Sequence, residues 1–405
     1  MKTGLVISLP GTEARLKRKV RAHFKRLGFL KAPDGTLMPP NLDKQSYRDM
    51  HAHQRDSRLN DNRAWIANRS ARLIQYFASG AELDVERIRP RIEVVRSGTW
   101  QGDLFRFATY FWRIPISEGY GRRMRFLVWD DHHEKVMGLF ALGDAVFNLR
   151  ARDEFIGWDH HRRADAMVNL MDAYALGAVP PYNMLLGGKL VASLIRSQDV
   201  VDTFQAKYHD SVGVISGQSK HAKLVAVTTT SALGRSSLYN RLKISGQSIF
   251  EPIGSTSGWG HFHISDELFS DLRDYLRALD HHYADSHGYG QGPNYRLRLI
   301  RKALGLLGLD PDMARHGLTR EVFFCSLASN ALQFLRGEHK RARYGHLPTV
   351  AQMGEAAKLR WVIPRAERMP EFRTWRSEQF LRELDGTGGA CSADGSNRSD
   401  SGLGS

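Results

Sequence analysis

The stretch that decides the fold runs from residue 136 to residue 242. It opens with the apolar run VMGLFALGDAVFNL (136–149) and continues through the polar, aromatic segment RARDEFIGWD (150–159). It then reads GAVPPYNMLLGGK (177–189), which predicts the start of a helix, and ends with the strand-like KLVAVTTT (223–230) and SALGRSSLYNRL (231–242). Basic segments of helical pattern lie on both sides of this stretch. The pattern predicts a folded core with basic flanks.

Strand patterns lead into this stretch. Ile92–Val95, Met124–Trp129 and Val136–Leu142 read as strands, and the aromatic segment Leu104–Ile116 is also β-prone. The charged turn that begins at Asp130 joins two of these strands directly, so they predict antiparallel pairing. Leu224–Thr230 and Val322–Cys325 read as later strands, and a helix is predicted from Arg235 to Leu242. The expected fold class is α/β (α+β), with a mixed, largely antiparallel sheet and packed helices.

Amphipathic helices are predicted before and after the core stretch in the sequence. Leu16, Val20, Phe24 and Leu27 share one face of a helix over 12–28, and a polar helical stretch covers 42–78. Later helices begin at Ser265, which can cap its helix, and at Asn294. Together with the change in composition near the C-terminus, these patterns predict four regions: a basic helical region (1–90), the α/β core (91–285), a basic, mainly helical region (286–385) and a disordered Gly/Ser tail (386–405).

Charge points to a polyanionic partner. The 405 residues carry a formal net charge of +15, and an excess of this size favours nucleic acid. The two cysteines are far apart and give no disulfide framework or Cys-based zinc site. No run reaches the roughly 18 apolar residues of a membrane span, and the N-terminus lacks a secretory signal pattern. We expect a cytoplasmic protein without a cofactor, and the composition leaves a homo-oligomer possible.

Exposed cations are the candidate nucleic-acid contacts. The helix over 12–28 contributes seven cations and no acid within residues 15–26, which fits either phosphate contact or a solvated helix face. Two further clusters lie near residues 296–302 and 336–343. The candidates for nucleic-acid binding are Arg15, Lys17, Arg18, Arg21, Lys25, Arg150, Arg152, Lys189, Arg235, Arg241, Arg298, Lys340 and Arg341.

Four carboxylates lie close together in sequence and indicate an alternative function, namely metal-dependent catalysis. Asp144, Asp153, Asp159 and Asp172 could bring two or three oxygens to Mg²⁺, as in a nuclease, with Asp153 and Asp159 as the catalytic candidates. The competing interpretation is that Asp153 and Asp159 pair with neighbouring arginines or cap turns. The adjacent histidine pairs do not share a face, so no metal site is assigned to them.

A second alternative concerns a phosphate site after the strand at 224–230. Arg235 follows Gly234 where the strand is expected to give way to a helix, and Ser231, Ser236 and Ser237 supply hydroxyls. Helix N-termini and arginines bind phosphate, but the same residues also serve as simple caps. No phosphate-binding P-loop accompanies Gly188 and Lys189, because Leu190 stands where Ser or Thr is required.

Several blocks resemble a bacterial family from the Druantia anti-phage defence system. They are GLFALGDAVFNLRARD (138–153), GAVPPYN (177–183), SALGRSSLYNRL (231–242) and GPNYRLRLIRKAL (292–304), and the resemblance extends over about residues 90–380. It implies a role in defence against phage together with a large helicase-like subunit. It supplies no catalytic residues.

The order of elements is also similar to that of the GNAT acetyltransferases. In that fold a Gly-rich turn before the central helix offers N–H groups to acetyl-CoA, whereas this chain has Pro180 and Pro181 there. Prolines lack those donors, so the likeness implies a GNAT-like core and not the activity. The leading hypothesis is a DNA-binding adaptor without its own catalysis. A GNAT-like transferase and a metal-dependent nuclease remain the alternatives.

Overall fold

A computed structural model gives the structure of most of the chain. It describes residues 10–31, 33, 37–38, 44–117, 119, 121–210, 221–258, 263–284, 293–314 and 319–384. The predicted disordered tail (386–405) and residues 259–262 of a predicted turn lie outside the described residues. None of the described helices combines the length and the apolar character needed to cross a bilayer.

Helices and strands are interspersed along the chain, often in groups of one kind. The helices are α1 (Pro10–Arg26), α2 (Lys44–Asp61), α3 (Arg63–Leu73), α4 (Trp100–Ala108), α5 (Arg150–Ile156), α6 (His160–Ala166), α7 (Gly187–Ser193), α8 (Gln198–Tyr208), α9 (Asp266–Ala278), α10 (Pro293–Leu306), α11 (Ala331–Arg336), α12 (Val350–Ala357), α13 (Ile363–Arg368) and α14 (Ser377–Leu384). The strands are β1 (Leu30–Lys31), β2 (Leu37–Met38), β3 (Pro90–Val94), β4 (Arg123–Asp130), β5 (Lys135–Asp144), β6 (Leu170–Ala178), β7 (Ala226–Thr230), β8 (Lys243–Ile244), β9 (Gln247–Ser248), β10 (Glu251–Ser255) and β11 (Glu321–Ser326).

The chain forms two compact units, and each is discontinuous in sequence. The smaller unit comprises Met1–Arg58, Ala232–Gly234 and Ser255–Arg320, and the larger comprises Leu59–Ser231, Arg235–Gly254 and Glu321–Ser405. The smaller unit therefore joins the N-terminal helix to a segment from the second half of the sequence. Contacts between residues far apart in the chain produce this grouping, which has no local sequence signal.

The smaller unit is built on helices whose apolar faces meet. Leu16, Val20 and Phe24 of α1 belong to one buried cluster with Leu272 of α9 and Ile300 of α10. The Ser265 hydroxyl accepts a hydrogen bond from the Leu268 N–H at 3.2 Å, which confirms the predicted cap of α9. The predicted helical periodicities of α1, α9 and α10 are thus all confirmed.

A seven-stranded sheet forms the centre of the larger unit, in the order β10-β11-β7-β6-β5-β4-β3. The pairs β3–β4, β4–β5, β5–β6 and β7–β11 are antiparallel, whereas β6 and β7 run parallel over Leu170–Asp172 and Ala226–Thr228. Helices α7 and α8 make the crossover that a parallel pair requires. The predicted mixed, largely antiparallel sheet is confirmed.

Both faces of the sheet are covered. Met124, Phe126 and Val128 of β4 belong to one buried cluster, and the alternating Leu127 and Trp129 belong to another. This alternation follows from the two-residue period of a strand. Helices α7, α8 and α12 contribute to the first cluster, and α3, α4 and α14 contribute to the second. The strands therefore occupy the middle of a helix–sheet–helix arrangement.

Two of the predicted elements are wrong. Leu104–Ile116 is not a strand, because α4 covers its first part: Thr99 caps this helix, and Leu104, Phe107 and Ala108 bury one helical face. Residues 235–242 form no α-helix and contain only a 3-10 turn at Tyr239–Arg241. Strand β6, for which no element was predicted, lies at the centre of the sheet between β5 and β7.

Candidate nucleic-acid interface

Helix α1 is anchored to the smaller unit along its full length. Besides its buried apolar face, the Tyr275 hydroxyl of α9 donates to Glu13 Oε1 at 2.9 Å. Near its other end, His23 Nε2 lies 2.7 Å from the backbone oxygen of His263, and both residues are buried. The sequence left open whether this helix docks on the body. The structure shows that it packs against α9 and α10 of the smaller unit.

The opposite face of α1 presents a row of cations, which we call the α1 basic face. Lys19 is bound to Glu267 at 2.6 Å and to Asp271, and hydrogen bonds to these carboxylates raise its pKa. Among the described residues, the other cations of the helix have no carboxylate partner. The exposed members of the α1 basic face are Arg15, Arg18, Arg21, Lys25 and Arg26.

Helix α10 adds fewer free cations than its sequence suggests. Arg296 pairs with Asp266 at 2.6 Å, and Arg301 lies 3.8 Å from Asp312. Arg298, the candidate from the sequence, is exposed and without a carboxylate partner in the described part of the chain. Lys17 of α1 is partly buried, and its Nζ lies close to Gly308, just after α10.

Asp153 is enclosed by an arginine network in the larger unit. Arg152 Nε and Nη2 donate to Asp153 Oδ1 at 2.9 and 2.6 Å, and Trp158 Nε1 donates to the same oxygen at 3.0 Å. Arg163 Nη1 donates to the other oxygen, Oδ2, at 2.8 Å. Burial raises the pKa of Asp153, but hydrogen bonds and charge from Arg152 and Arg163 outweigh it and lower the pKa overall. Asp153 thus serves as the anion of a structural ion-pair network.

Arg152 does not fit the predicted role of a nucleic-acid contact. Its side chain is fully buried, and Nη1 and Nη2 also donate to the backbone oxygens of Val146 and Phe147 at 2.6 and 2.9 Å. Burial lowers its pKa, while the adjacent Asp153 raises it. The guanidinium holds the segment before α5 in place and has no N–H turned to solvent.

The other predicted carboxylates also have structural partners. Asp159 caps α6 by accepting from the Arg162 N–H at 2.7 Å, and Asp144 accepts from Arg122 Nε at 2.8 Å. Within the described ranges, the side chains close enough to share a metal ion are His209, Asp210 and His221, all exposed. This set contains none of the four aspartates considered for a nuclease.

Asp172 lies where the parallel strands β6 and β7 stop pairing. Its carboxylate accepts from Thr228 Oγ1 at 2.8 Å across these strands. Burial raises its pKa to about 6, against the opposing effects of the Thr228 hydrogen bond and the charge of Arg152. Of the four aspartates considered for a metal site, Asp172 is therefore the one whose ionisation the fold disfavours most clearly.

Replacing Asp172 by Asn is expected to stabilise the protein at high pH and not at low pH. Because the folded-state pKa is raised, protonated Asp172 favours folding below pH 4, and this contribution is lost as the pH rises through about 6. Asp172→Asn should therefore increase the unfolding free energy by about 1–2 kcal/mol at pH 8, after allowance for partial exposure. Denaturant titrations at pH 4 and pH 8 measure this, with exposed Asp165→Asn as control. Equal effects of Asp172→Asn at both values would contradict the assignment.

The predicted phosphate site after β7 is occupied by a carboxylate. Glu321 Oε2 accepts from the Ser236 N–H and from Asn240 Nδ2, each at 2.8 Å. Arg235 is exposed, with its Nε 4.0 Å from Glu321 Oε1. The Glu321 carboxylate thus accepts the Ser236 N–H, a donor of the loop that the sequence assigned to a phosphate.

The remaining candidates are at the surface. Arg150 is largely exposed and pairs with Glu154 at 2.7 Å, an arrangement that contributes little to stability. Arg241, Lys340 and Arg341 are exposed, Lys189 is partly buried, and none of the four has a carboxylate partner within the described residues. The structure brings Lys189 and Arg241 into one neighbourhood, which sequence spacing did not indicate.

Sequence reasoning missed a buried polar network at the turn between β4 and β5. Asp130 is fully buried and accepts from the Tyr182 hydroxyl at 3.0 Å, while its Oδ2 lies 2.6 Å from His133 Nδ1. His133 Nε2 in turn accepts from the Asp84 N–H at 2.9 Å. Every ring nitrogen and carboxylate oxygen of the network is satisfied, so it fixes the turn and leaves no group free for a ligand.

Comparisons with known proteins agree with the resemblance seen in the sequence. The family model for Druantia protein DruA matches residues 41–337. Druantia protein DruA of Escherichia coli (strain UMEA 4076-1) is 50% identical over 377 residues, which make up 93% of each chain. No solved structure matches the chain. The chain therefore belongs to the Druantia protein DruA family and is a Druantia defence-system protein.

Proposed function

We propose that this chain is the DNA-binding adaptor of its Druantia-type anti-phage system and works with a large helicase-like partner in the cytoplasm. The α1 basic face carries the proposal. Five exposed cations lie on a helix whose other face is buried, and in the described part of the chain they have no carboxylate partners. A rigid, unneutralised cationic surface of this kind attracts the phosphates of nucleic acid and releases their counterions on binding.

The structural roles of the carboxylates support an adaptor over a nuclease. Asp153 and Asp159 are engaged with arginine side chains and a helix N-terminus, respectively. A two-metal nuclease needs carboxylate oxygens that are free to converge on the ion. In the adaptor proposal the chain supplies affinity for DNA, and the chemistry or strand movement belongs to the partner.

The proposal predicts that binding to DNA depends steeply on salt. About five phosphate contacts give a slope of log K against log salt near −4 to −5 on duplex DNA. The dissociation constant should therefore rise by about two to three orders of magnitude between roughly 50 and 200 mM salt. Fluorescence anisotropy of labelled single-stranded and duplex DNA measures this, and gels with and without Mg²⁺ monitor whether the DNA stays intact. A dissociation constant unchanged across the series would remove the proposal, and cleavage dependent on Mg²⁺ would favour the nuclease alternative.

One observation favours a GNAT-like transferase as the second candidate. Strands β6 and β7 pair in parallel over only three positions, and a register shift in the β5–β6 pair leaves Tyr174 without a partner on β5. In open sheets, ligands bind beyond the carboxyl ends of strands where the arrangement of neighbouring strands changes, and the end of this parallel pairing supplies such a position. Thermal unfolding with saturating acetyl-CoA tests this candidate, because a ligand that binds only the folded state raises the melting temperature. An unchanged melting temperature would exclude it.

A further inference from the structure

A π-helical segment, Lys358–Val362, lies between α12 and α13 in the larger unit. The Ile363 N–H bonds to the oxygen of Lys358, five residues back, and the next residue is Pro364. A proline has no N–H to donate and its ring crowds the carbonyl four residues earlier, so a widened turn accommodates it here. Such π segments occur frequently at functional sites.

Trp361 of this segment is a buried platform for two cations. Lys189 Nζ of α7 lies 5.5 Å from the centre of the Trp361 ring, and Arg360 Cζ lies 6.0 Å from it. Cations at these distances are attracted by the ring face. Trp361 itself is only 7% exposed, so its ring is not available to stack on a base.

A third cation comes from the turn that follows β7. A Cβ atom at Gly188 would lie 3.2 Å from Leu238 Cδ1, so this turn packs against α7 beside Lys189. Arg241 ends the turn and is exposed. Lys189, Arg241 and Arg360 therefore come from three segments that are far apart in the sequence. We call this group the Trp361 cation cluster.

The Trp361 cation cluster is electrostatically uncompensated. None of its three members forms an ion pair with a described carboxylate. Burial lowers the pKa of Lys189, and the positive charges of Arg241 and Arg360 lower it further. Three like charges held together on packed elements repel one another, and a bound anion would relieve that repulsion. Arg235, in the same loop as Arg241, differs because its Nε lies 4.0 Å from Glu321 Oε1, whereas Arg241 forms no ion pair with a described carboxylate.

We propose that the Trp361 cation cluster is a phosphate-binding site that holds the sugar–phosphate backbone of the nucleic acid on the larger unit. This inference rests on the proposed function and adds a second contact region to the α1 basic face. Two guanidinium groups and an ammonium group suit phosphodiester oxygens, and arginine can bind them in a bidentate manner. With Trp361 buried, the site offers charge without base stacking, so it binds the backbone irrespective of sequence.

Chemical labelling of lysines in the full-length wild-type chain tests the proposal without a variant. An amine-reactive reagent modifies Lys189 more readily when its pKa is lowered, and a phosphate over the ammonium group blocks the reaction. Peptide mass spectrometry measures the labelling rate of Lys189 under four conditions. These are the protein alone, the protein with a single-stranded oligonucleotide, with the corresponding duplex, and with inorganic pyrophosphate. We expect a saturating concentration of either DNA form to slow labelling of Lys189 by about tenfold at low salt, where phosphate contacts give high occupancy. Partly buried Lys223, in the same unit, serves as the reference and keeps its rate.

The second measurement is DNA binding by a variant in which the three cations of the Trp361 cation cluster are replaced by neutral glutamine. Lys189→Gln, Arg241→Gln and Arg360→Gln together should lower the slope of log K against log salt by up to about 3. The matched control removes three exposed charges of the same unit by Arg89→Gln, Arg96→Gln and Arg368→Gln. If the triple variant does not fold, Lys189→Arg keeps the charge and should keep the affinity, and the labelling result stands independently.

The outcomes separate the two proposals. Salt-sensitive binding of DNA with unchanged labelling of Lys189 would overturn the Trp361 site and leave the α1 basic face in place. Protection by pyrophosphate but by neither DNA form would assign the cluster to a small phosphate ligand and likewise overturn the proposal. Absence of any DNA binding by the wild-type chain would overturn both.

Discussion

Neutralising four of the five members of the α1 basic face is expected to weaken DNA binding by on the order of a thousandfold at about 100 mM salt. The variant replaces four exposed cations of α1: Arg15→Gln, Arg18→Gln, Arg21→Gln and Lys25→Gln. Each phosphate contact changes the slope of log K against log salt by about 0.9, so four lost contacts should flatten it by about 3 to 4. Fluorescence anisotropy across a salt series measures both the dissociation constant and the slope.

The replacements preserve the fold of the smaller unit. Glutamine has a good helix propensity, and Leu16, Val20 and Phe24, which hold α1 in its cluster, are untouched. A control with the same net charge removes four exposed cations of the larger unit, namely Arg89→Gln, Arg96→Gln, Arg368→Gln and Arg376→Gln. If both variants lose affinity equally, net charge alone explains the binding and α1 has no special role. Wild-type affinity in the α1 variant would refute the assignment directly.

Asp153→Ala is expected to destabilise the larger unit by about 3–5 kcal/mol. The substitution leaves the fully buried Arg152 guanidinium without its carboxylate, and Arg163 loses its partner at 2.8 Å. A buried charge whose partner has been removed is far more costly than an exposed one. For a unit of this size, the melting temperature should fall by on the order of 10 °C, as measured by circular dichroism or calorimetry.

Two further variants identify the cause of the loss. Asp153→Ala combined with Arg152→Met removes the carboxylate and the fully buried guanidinium together and should recover part of the stability, although Arg163 still lacks its partner. Asp159→Ala removes only the cap of α6 and should cost about 1 kcal/mol. An Asp153→Ala protein with wild-type stability but without defence activity would mean that this carboxylate does chemistry. That result would revive the nuclease alternative.

Elements with a complete local signal were predicted correctly. Helices α1 and α9 have an unbroken apolar face, and strands β4 and β5 have a charged turn between them. The prediction was wrong where residue type favours a strand but the spacing of buried residues fits a helix. In α4, aromatic residues favour a strand, but Leu104, Phe107 and Ala108 bury one helical face against the sheet. Burial against β4 and β5 outweighed β-propensity there.

The candidate interface was predictable only in part. The cations of α1 follow from the sequence, since a helix with one apolar face must present its other residues to solvent. In the sequence Arg152 looks the same as the exposed Arg150, because two residues so close together on a short helix differ in burial only once α5 is packed. Arg360 and Trp361 belong to no motif, and only the packing of the π-helical segment near α7 relates them to Lys189.

The sequence by itself determined the family, the mixed α/β class and the positive charge that favours a polyanionic partner. These properties depend on composition, local periodicity and shared sequence blocks, all of which can be read along the chain. Only the tertiary structure decided which charges are free. It paired Arg152 with Asp153 and placed Glu321 beside Arg235. It also placed Lys189, Arg241 and Arg360 near one another. The physical reason is that ion pairing and burial depend on distances between residues remote in sequence, which are fixed when the sheet and its helices pack.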